Sequence, residues 1–216
     1  MASTYVPALR FKALTKVYDA LLSVTFPEKK IKQVLINQFH LTGIETVLDF
    51  GCGSGTLTIM VKEQYPSVHI IGVDIDAEII GIAEKKIKAK GLAIPIKKYD
   101  GESLKIFGHQ QFDKIASSLV FHHLPTAKKR AVFSQLYSLL KPGGELHIAN
   151  FGKPKSLYTK QAFSLLRRFD GVENTSVNAE ELLPHFMKES GFSDVKKTQS
   201  FNTAFGTVDL IKASRT

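Results

Sequence analysis

The sequence predicts an α/β fold, an open and mostly parallel sheet with helices on both faces. Three observations predict it. From Thr46 onward, short and nearly continuous apolar runs alternate with patterned stretches of ten to fifteen residues, as expected for buried parallel strands joined by crossover helices. Glycine, proline or acidic residues bound each apolar run, and such residues punctuate strands. Finally, 216 residues with 44% hydrophobic and 23% charged side chains can bury a full core without disulfides or metals.

Residues 1–40 read as helical. Leu9, Ala13, Val17, Ala20 and Leu21 share one face, and Ile31, Val34, Leu35 and Phe39 share a face of a second helix after Pro27. The expected strands are Thr46–Phe50, His69–Asp74, Ile94–Tyr99, Phe112–Val120 and Gly144–Phe151. Between them lie helices over Thr56–Tyr65, Ala77–Lys90 with Gly91 as its stop, and Thr126–Leu140, ended by Pro142-Gly143-Gly144. Right-handed crossovers distribute such helices over both faces of the sheet. A helix over Leu157–Phe169 and another over Ala179–Ser190, capped by Asn178, come next. Phe192–Phe201 and Ala204–Ala213, split by Asn202-Thr203, close the chain as an antiparallel hairpin. No repeat or linker divides the chain, so residues 1–216 read as one domain.

A lone cysteine, Cys52, rules out an internal disulfide framework and a cysteine-cluster metal site, and it suits a reducing, cytoplasmic setting. His40, His69, His109, His147 and His185 show no metal-ligand spacing, and no metal is expected. No window is long and apolar enough to cross a bilayer, and the N-terminus lacks the apolar stretch of a secretory signal. The net charge of +9 favours anionic partners. Its lysines are scattered, however, rather than massed with aromatic residues, which argues against a nucleic-acid face.

Val47-Leu48-Asp49-Phe50-Gly51-Cys52-Gly53-Ser54-Gly55-Thr56 runs from a strand through a glycine-rich turn into a helix. The first strand of an open sheet delivers ligands at such a turn, where missing side chains let the backbone approach closely. The GxGxG spacing departs from the GxGxxG of pyrophosphate-binding folds. Asp49 would repel a phosphate and suits a cationic amino group instead. The next strand ends at Asp74, nineteen residues after Gly55, where a carboxylate can accept the hydroxyls of a ribose. The third ends at Asp100, placed to accept from the exocyclic amine of an adenine. Each aspartate has an ordinary alternative as the cap of a turn or helix, and Asp76 is assigned that role. Three consecutive strands ending in aspartate favour a shared ligand.

These motifs resemble the class I S-adenosylmethionine (SAM)-dependent methyltransferases, in particular the ubiquinone/menaquinone-biosynthesis-like group. The resemblance spans about Thr46 to Phe151 and rests on VLDFGCGSGTLT, GVDID, YDGESL, FDKIASSLVFHHLP and LLKPGGELHIANF in that order. It implies a Rossmann-like sheet of seven strands with the last antiparallel, and N-terminal helices over the cofactor edge. The chain then divides into a helical cap (1–42), a SAM-binding core (43–152), and a lid helix with a closing strand pair (153–216). It further implies that Asp49, Gly51, Cys52, Gly53 and Gly55 carry the methionine part of SAM. Asp74 with Ile75 holds the ribose, Asp100 with Gly101 frames the adenine, Ser117 and Leu119 line the site, and Tyr18 folds over the SAM carboxylate.

Methyl transfer needs alignment more than a base. His122 and His123, directly after the fourth strand, are candidates to take a proton from the acceptor, with loop packing beside Leu124 and Pro125 as the plainer alternative. The fourth strand lacks the NPPY-like run that holds planar amines, and one cysteine excludes a thiol relay. A small aromatic or quinone-like acceptor is expected, consistent with Phe151, Tyr158, Phe163 and Phe169. The alternatives are a phospholipid or other amine, with peripheral contact to an anionic membrane, a non-catalytic SAM-binding protein, and a nicotinamide-dependent oxidoreductase.

Overall fold

The computed structural model describes residues 27–152, 182–203 and 206–216. The first expected helix, the expected helix over Leu157–Phe169 and the start of the one over Ala179–Ser190 lie outside these residues, as do Tyr18, Tyr158, Phe163 and Phe169. In chain order the elements are α1 (Glu28–Asn37), β1 (Thr46–Phe50), α2 (Thr56–Gln64), β2 (His69–Asp74), α3 (Ala77–Ala89), β3 (Ile96–Lys98) and β4 (Phe112–Ser118). A short 3-10 turn (Phe121–His123) then leads into α4 (Thr126–Leu139), β5 (Leu140–Phe151), α5 (Leu183–Glu189), β6 (Ser193–Thr203) and β7 (Gly206–Ser214).

Seven strands form one sheet in the order β3-β2-β1-β4-β5-β7-β6. Strands β1 to β5 pair in parallel, and β7 runs antiparallel between β5 and β6. Alternation along the strands splits the core in two. Val47, Ala116, Ala149 and Leu210 face Ile31, Leu35 and Ile36 of α1 and Leu57 and Val61 of α2. Leu48, Ile115, Ile148 and Ile211 face Val132, Phe133 and Leu136 of α4 and Phe186 and Met187 of α5. Burying both sheet faces is what makes the strand sequences continuously apolar.

The structure departs from the expected boundaries at three informative places. Strand β3 shortens to Ile96–Lys98 because Pro95 has no N–H to give the ladder, although its carbonyl still accepts from Gly72 N at 3.0 Å. Strand β4 stops at Ser118 rather than Val120, since Leu119 turns to φ 60° and Val120 enters the 3-10 turn. Strand β5 begins at Leu140, four residues early. Its pairing with β4 jumps from Phe112↔Leu140 to Lys114↔Glu145, so the Pro142-Gly143-Gly144 segment bulges from the ladder.

The chain order reverses direction between β1 and β4, which are neighbours. Their carboxyl ends therefore diverge into helices on opposite faces and leave a crevice. The glycine turn that follows β1 lies at this place.

Candidate functional site

The glycine turn is tied to the end of β2. Gly51 N and Cys52 N both donate to Val73 O, at 2.8 and 3.0 Å, and Gly53 N donates to Asp74 Oδ2 at 2.8 Å. Gly51 holds φ 70°, and a Cβ there would stand 2.3 Å from Cγ2 of Val120. Only glycine allows the β1 turn to touch the β4 turn so closely. A Cβ on Gly53, by contrast, would meet nothing within 4 Å, so the middle of the turn faces open space.

The three strand-end aspartates have different environments. Asp49 is 1% exposed, with Thr58 Oγ1 of α2 donating to its Oδ2 at 2.5 Å. Burial pushes its pKa up to about 6, against the Thr58 hydrogen bond and the nearby Lys32, while Asp74 adds to the rise. Asp74 is half-buried and accepts three backbone N–H groups, from Gly53 on Oδ2 and from Ile75 and Asp76 on Oδ1. Asp100 is exposed, and backbone N–H groups of Ser103 and Glu102, both 2.8 Å from its Oδ1, hold its carboxyl below the usual range. Asp49 and Asp74 both act on Cys52, whose thiol burial and these two charges push well up, so its sulfur is not a nucleophile. Ile75 sits 3.7 Å from the position of a Cβ on Gly101, which joins the ends of β2 and β3. Asp76 caps α3 through Glu78 N and Ile79 N.

Space and polarity test whether these residues fit SAM. The open side of Gly53 supplies room, and Asp49 supplies an acidic group beneath the turn. Of the four acceptor positions of a carboxylate, Asp74 has one unfilled among the described residues, enough for one ribose hydroxyl; the second requires exchange with a backbone N–H. Ser117 Oγ and Ser118 Oγ, the last two hydroxyls of β4, are buried without a hydrogen-bond partner among the described residues. Leu119 completes this edge, its N donating to Ala149 O at 2.8 Å. The donors and acceptors present fit the group.

Beyond β4 the 3-10 turn buries His122 to 5% exposure. Its ring lies 3.9 Å from that of His123 and edge-on to Phe151 at 4.9 Å, and its Nδ1 is 3.2 Å from Asn150 Oδ1. Burial first, then His123 and Lys129, hold its pKa well below the usual value against the Asn150 bond. The imidazole is therefore neutral at physiological pH.

Three contributors were not legible in the sequence. Asn150 reads there as a polar residue at a strand end. Lys32 reads as a solvated helix lysine, yet it is 8% exposed, bonds Glu28 at 2.6 Å and acts on Asp49. Lys129 reads as part of a basic surface run, yet it is fully buried, and burial brings its pKa down to about 8. Only their tertiary neighbours distinguish them. Among the described residues no group of three or more His, Cys, Asp or Glu could hold a metal, and no helix is long and apolar enough to cross a membrane.

Residues 47–144 match the family model described as a methyltransferase domain. The chain is 31% identical over 122 residues to a demethylmenaquinone methyltransferase of Thermus thermophilus, covering 56% of this chain and 52% of that protein. It is 31% identical over 146 residues to a malonyl-[acyl-carrier protein] O-methyltransferase of Priestia megaterium, covering 66% and 50%. The chain thus spans about half the length of these curated relatives. A crystal structure of a SAM-dependent methyltransferase from Aquifex aeolicus shares the fold, with a TM-score of 0.65 at 18% identity over 90% of this chain and 92% of that one. Sheet order, glycine turn and relatives agree in making residues 47–144 a class I SAM-dependent methyltransferase domain, similar to the ubiquinone/menaquinone-biosynthesis-like group, with S-adenosylmethionine as cofactor.

Proposed function

We propose that the chain transfers the SAM methyl group to a small acceptor, aromatic or quinone-like, held beyond the carboxyl ends of β4 and β5. The observation that carries this reading is the glycine turn at the chain reversal between β1 and β4, hydrogen-bonded to Asp74 and open at Gly53. Bound SAM supplies an electrophilic methyl group on a sulfonium. The chain's own residues orient it. Asp49, with Gly51, Cys52, Gly53 and Gly55, takes the methionine portion, Asp74 and Ile75 the ribose, and Asp100 and Gly101 the adenine. Ser117 and Leu119 border the reacting end, where His122 and His123 face the acceptor, and Tyr18 closes over the carboxylate.

The acceptor class draws support from the names of relatives, which include demethylmenaquinone and ubiquinone biosynthesis methyltransferases, and from the aromatic wall that Phe151 gives His122. The test is calorimetric titration of wild type and Asp74→Ala with SAM and with NADH. Micromolar SAM binding that the substitution abolishes, with no heat from NADH, is expected. Absence of SAM binding, or binding of NADH instead, overturns the reading.

A further inference from the structure

Four residues of α1 are buried, Ile31, Lys32, Leu35 and Ile36. The three apolar ones pack with Val47 of β1 and with Leu57 and Val61 of α2, and Lys32 shares their face of the helix. A buried ammonium needs a counter-charge to offset its lost hydration. One is Glu28, a turn earlier, whose half-exposed carboxylate accepts from Lys32 Nζ at 2.6 Å. A second carboxylate lies inward. Alternation along β1 turns Asp49 to the same sheet face as Val47, and Thr58, next to Leu57 on α2, donates to it at 2.5 Å. The buried lysine and the buried carboxylate thus share one wedge between α1, α2 and β1.

We propose that Lys32 is a positioning residue for the cofactor: from α1 it keeps the Asp49 carboxylate charged before SAM arrives, so that the seating of α1 sets how firmly the cofactor's ammonium group is held. This rests on the methyltransferase reading above. Lys32 acts through Asp49, and its link to Glu28 ties that action to the first turn of α1.

The charges facing Asp49 agree. Burial favours the neutral acid, and so does the charge of Asp74 at the end of β2, whereas the Thr58 bond and the charge of Lys32 favour the carboxylate. The Cys52 thiol of the glycine turn is kept neutral by burial and by both aspartates, and Lys32 acts on it as well, which puts the lysine's charge within reach of the turn. The register partners of Asp49, Gly72 on β2 and Ala116 on β4, carry no charge. Lys32 is therefore the cation set against burial and Asp74. Without it the carboxyl would keep its proton well into the neutral range, where it could not pair with an ammonium.

The test is carbon NMR of the full chain labelled with 13C at the aspartate carboxyls, with Asp49→Asn assigning the signal, together with calorimetric titration of SAM at pH 6 and pH 8. In the cofactor-free wild type Asp49 is expected to titrate at about 6. Lys32→Met keeps an apolar stem and should raise that midpoint by about one pH unit, and Lys32→Arg should restore it. Glu28→Gln, at the half-exposed end of the pair, should lower it and decides the matter alone if Lys32→Met does not fold. The SAM affinity lost in Lys32→Met should be about fivefold larger at pH 6 than at pH 8, because the carboxyl must give up its proton to hold the ammonium. A merely structural role would weaken binding alike at both pH values. A midpoint that neither Lys32→Met nor Glu28→Gln moves, or an affinity loss equal at the two pH values, overturns the proposal. If the wild type binds no SAM at either pH, the methyltransferase reading fails, and the Asp49 midpoint still decides whether Lys32 sets its charge.

Discussion

Near the amino end of the sheet, Glu145 of β5 collects bonds from Lys114 and Lys212 at 2.5 Å each and from His147 at 3.2 Å, whereas near the carboxyl end Asp49 of β1 has one hydroxyl partner. Burial pushes both carboxyls up. Around Glu145 the three donors overcome burial and hold the pKa well below the ordinary range; around Asp49 burial wins and the pKa rises to about 6. His147 does not follow that contrast: burial lowers its pKa as it lowers that of His122, even though its Nε2 is 3.2 Å from Glu145 and its ring packs 4.9 Å from Phe39. Charge at the amino end is matched to hold the fold. At the carboxyl end, among the described residues, Asp49 has only the Thr58 hydrogen bonds and the nearby Lys32 against its burial.

The sharpest way to break this contrast is in the backbone of the turn. Gly51→Ala should lower stability by about 3 kcal/mol, from the left-handed φ and the approach to Val120, and should abolish SAM binding; an unchanged melting temperature would refute the close packing of the two turns. Glu145→Gln should cost about 2–3 kcal/mol at pH 7 by stranding two lysines, read by urea denaturation. Because the folded pKa of Glu145 is depressed, its contribution is present above pH 4.5 and is lost as pH falls below it. The variant's deficit should therefore shrink in acid.

Asp49→Asn should act in the opposite direction. The folded pKa of Asp49 is raised, so its favourable contribution holds below pH 3.8 and is lost as pH rises through about 6. At pH 8 the variant should be more stable by about 1–3 kcal/mol, while binding SAM more weakly; a destabilised variant with normal SAM affinity would reverse both assignments. Wild-type affinity for SAM should fall by up to about tenfold per pH unit below 6, as the carboxylate must lose its proton to meet an ammonium group. Binding heats at about pH 5.5 that do not change between buffers of different ionisation enthalpy would show that no proton is released and would contradict that pairing. The smallest effect belongs to Asp100→Ala, which should leave the melting temperature nearly unchanged and weaken SAM binding modestly.

The parallel strands and the glycine turn with its tie to Asp74 were legible in the sequence because their causes are local. Apolar runs on β1, β2 and β4 reflect burial of both faces, and Gly51 and Asp74 lie within one strand–helix–strand unit, so their spacing along the chain reports their meeting at Gly53. Local rules also assigned the cap of α3 to Asp76. Boundaries shifted where the partner strand decided them, as at Leu140, whose pairing with Phe112 extends β5 backward.

What only the tertiary structure decided is which polar residues are buried and against what. Lys32, Lys129, Asn150 and Glu145 look like surface side chains in the sequence, since nothing in their neighbourhood along the chain announces burial. Asn150 meets His122 across 28 positions and Glu145 meets Lys114 across 31. A hydrogen bond between residues so far apart is created by sheet order and register, and its electrostatic consequences exist only once water has been removed from around it.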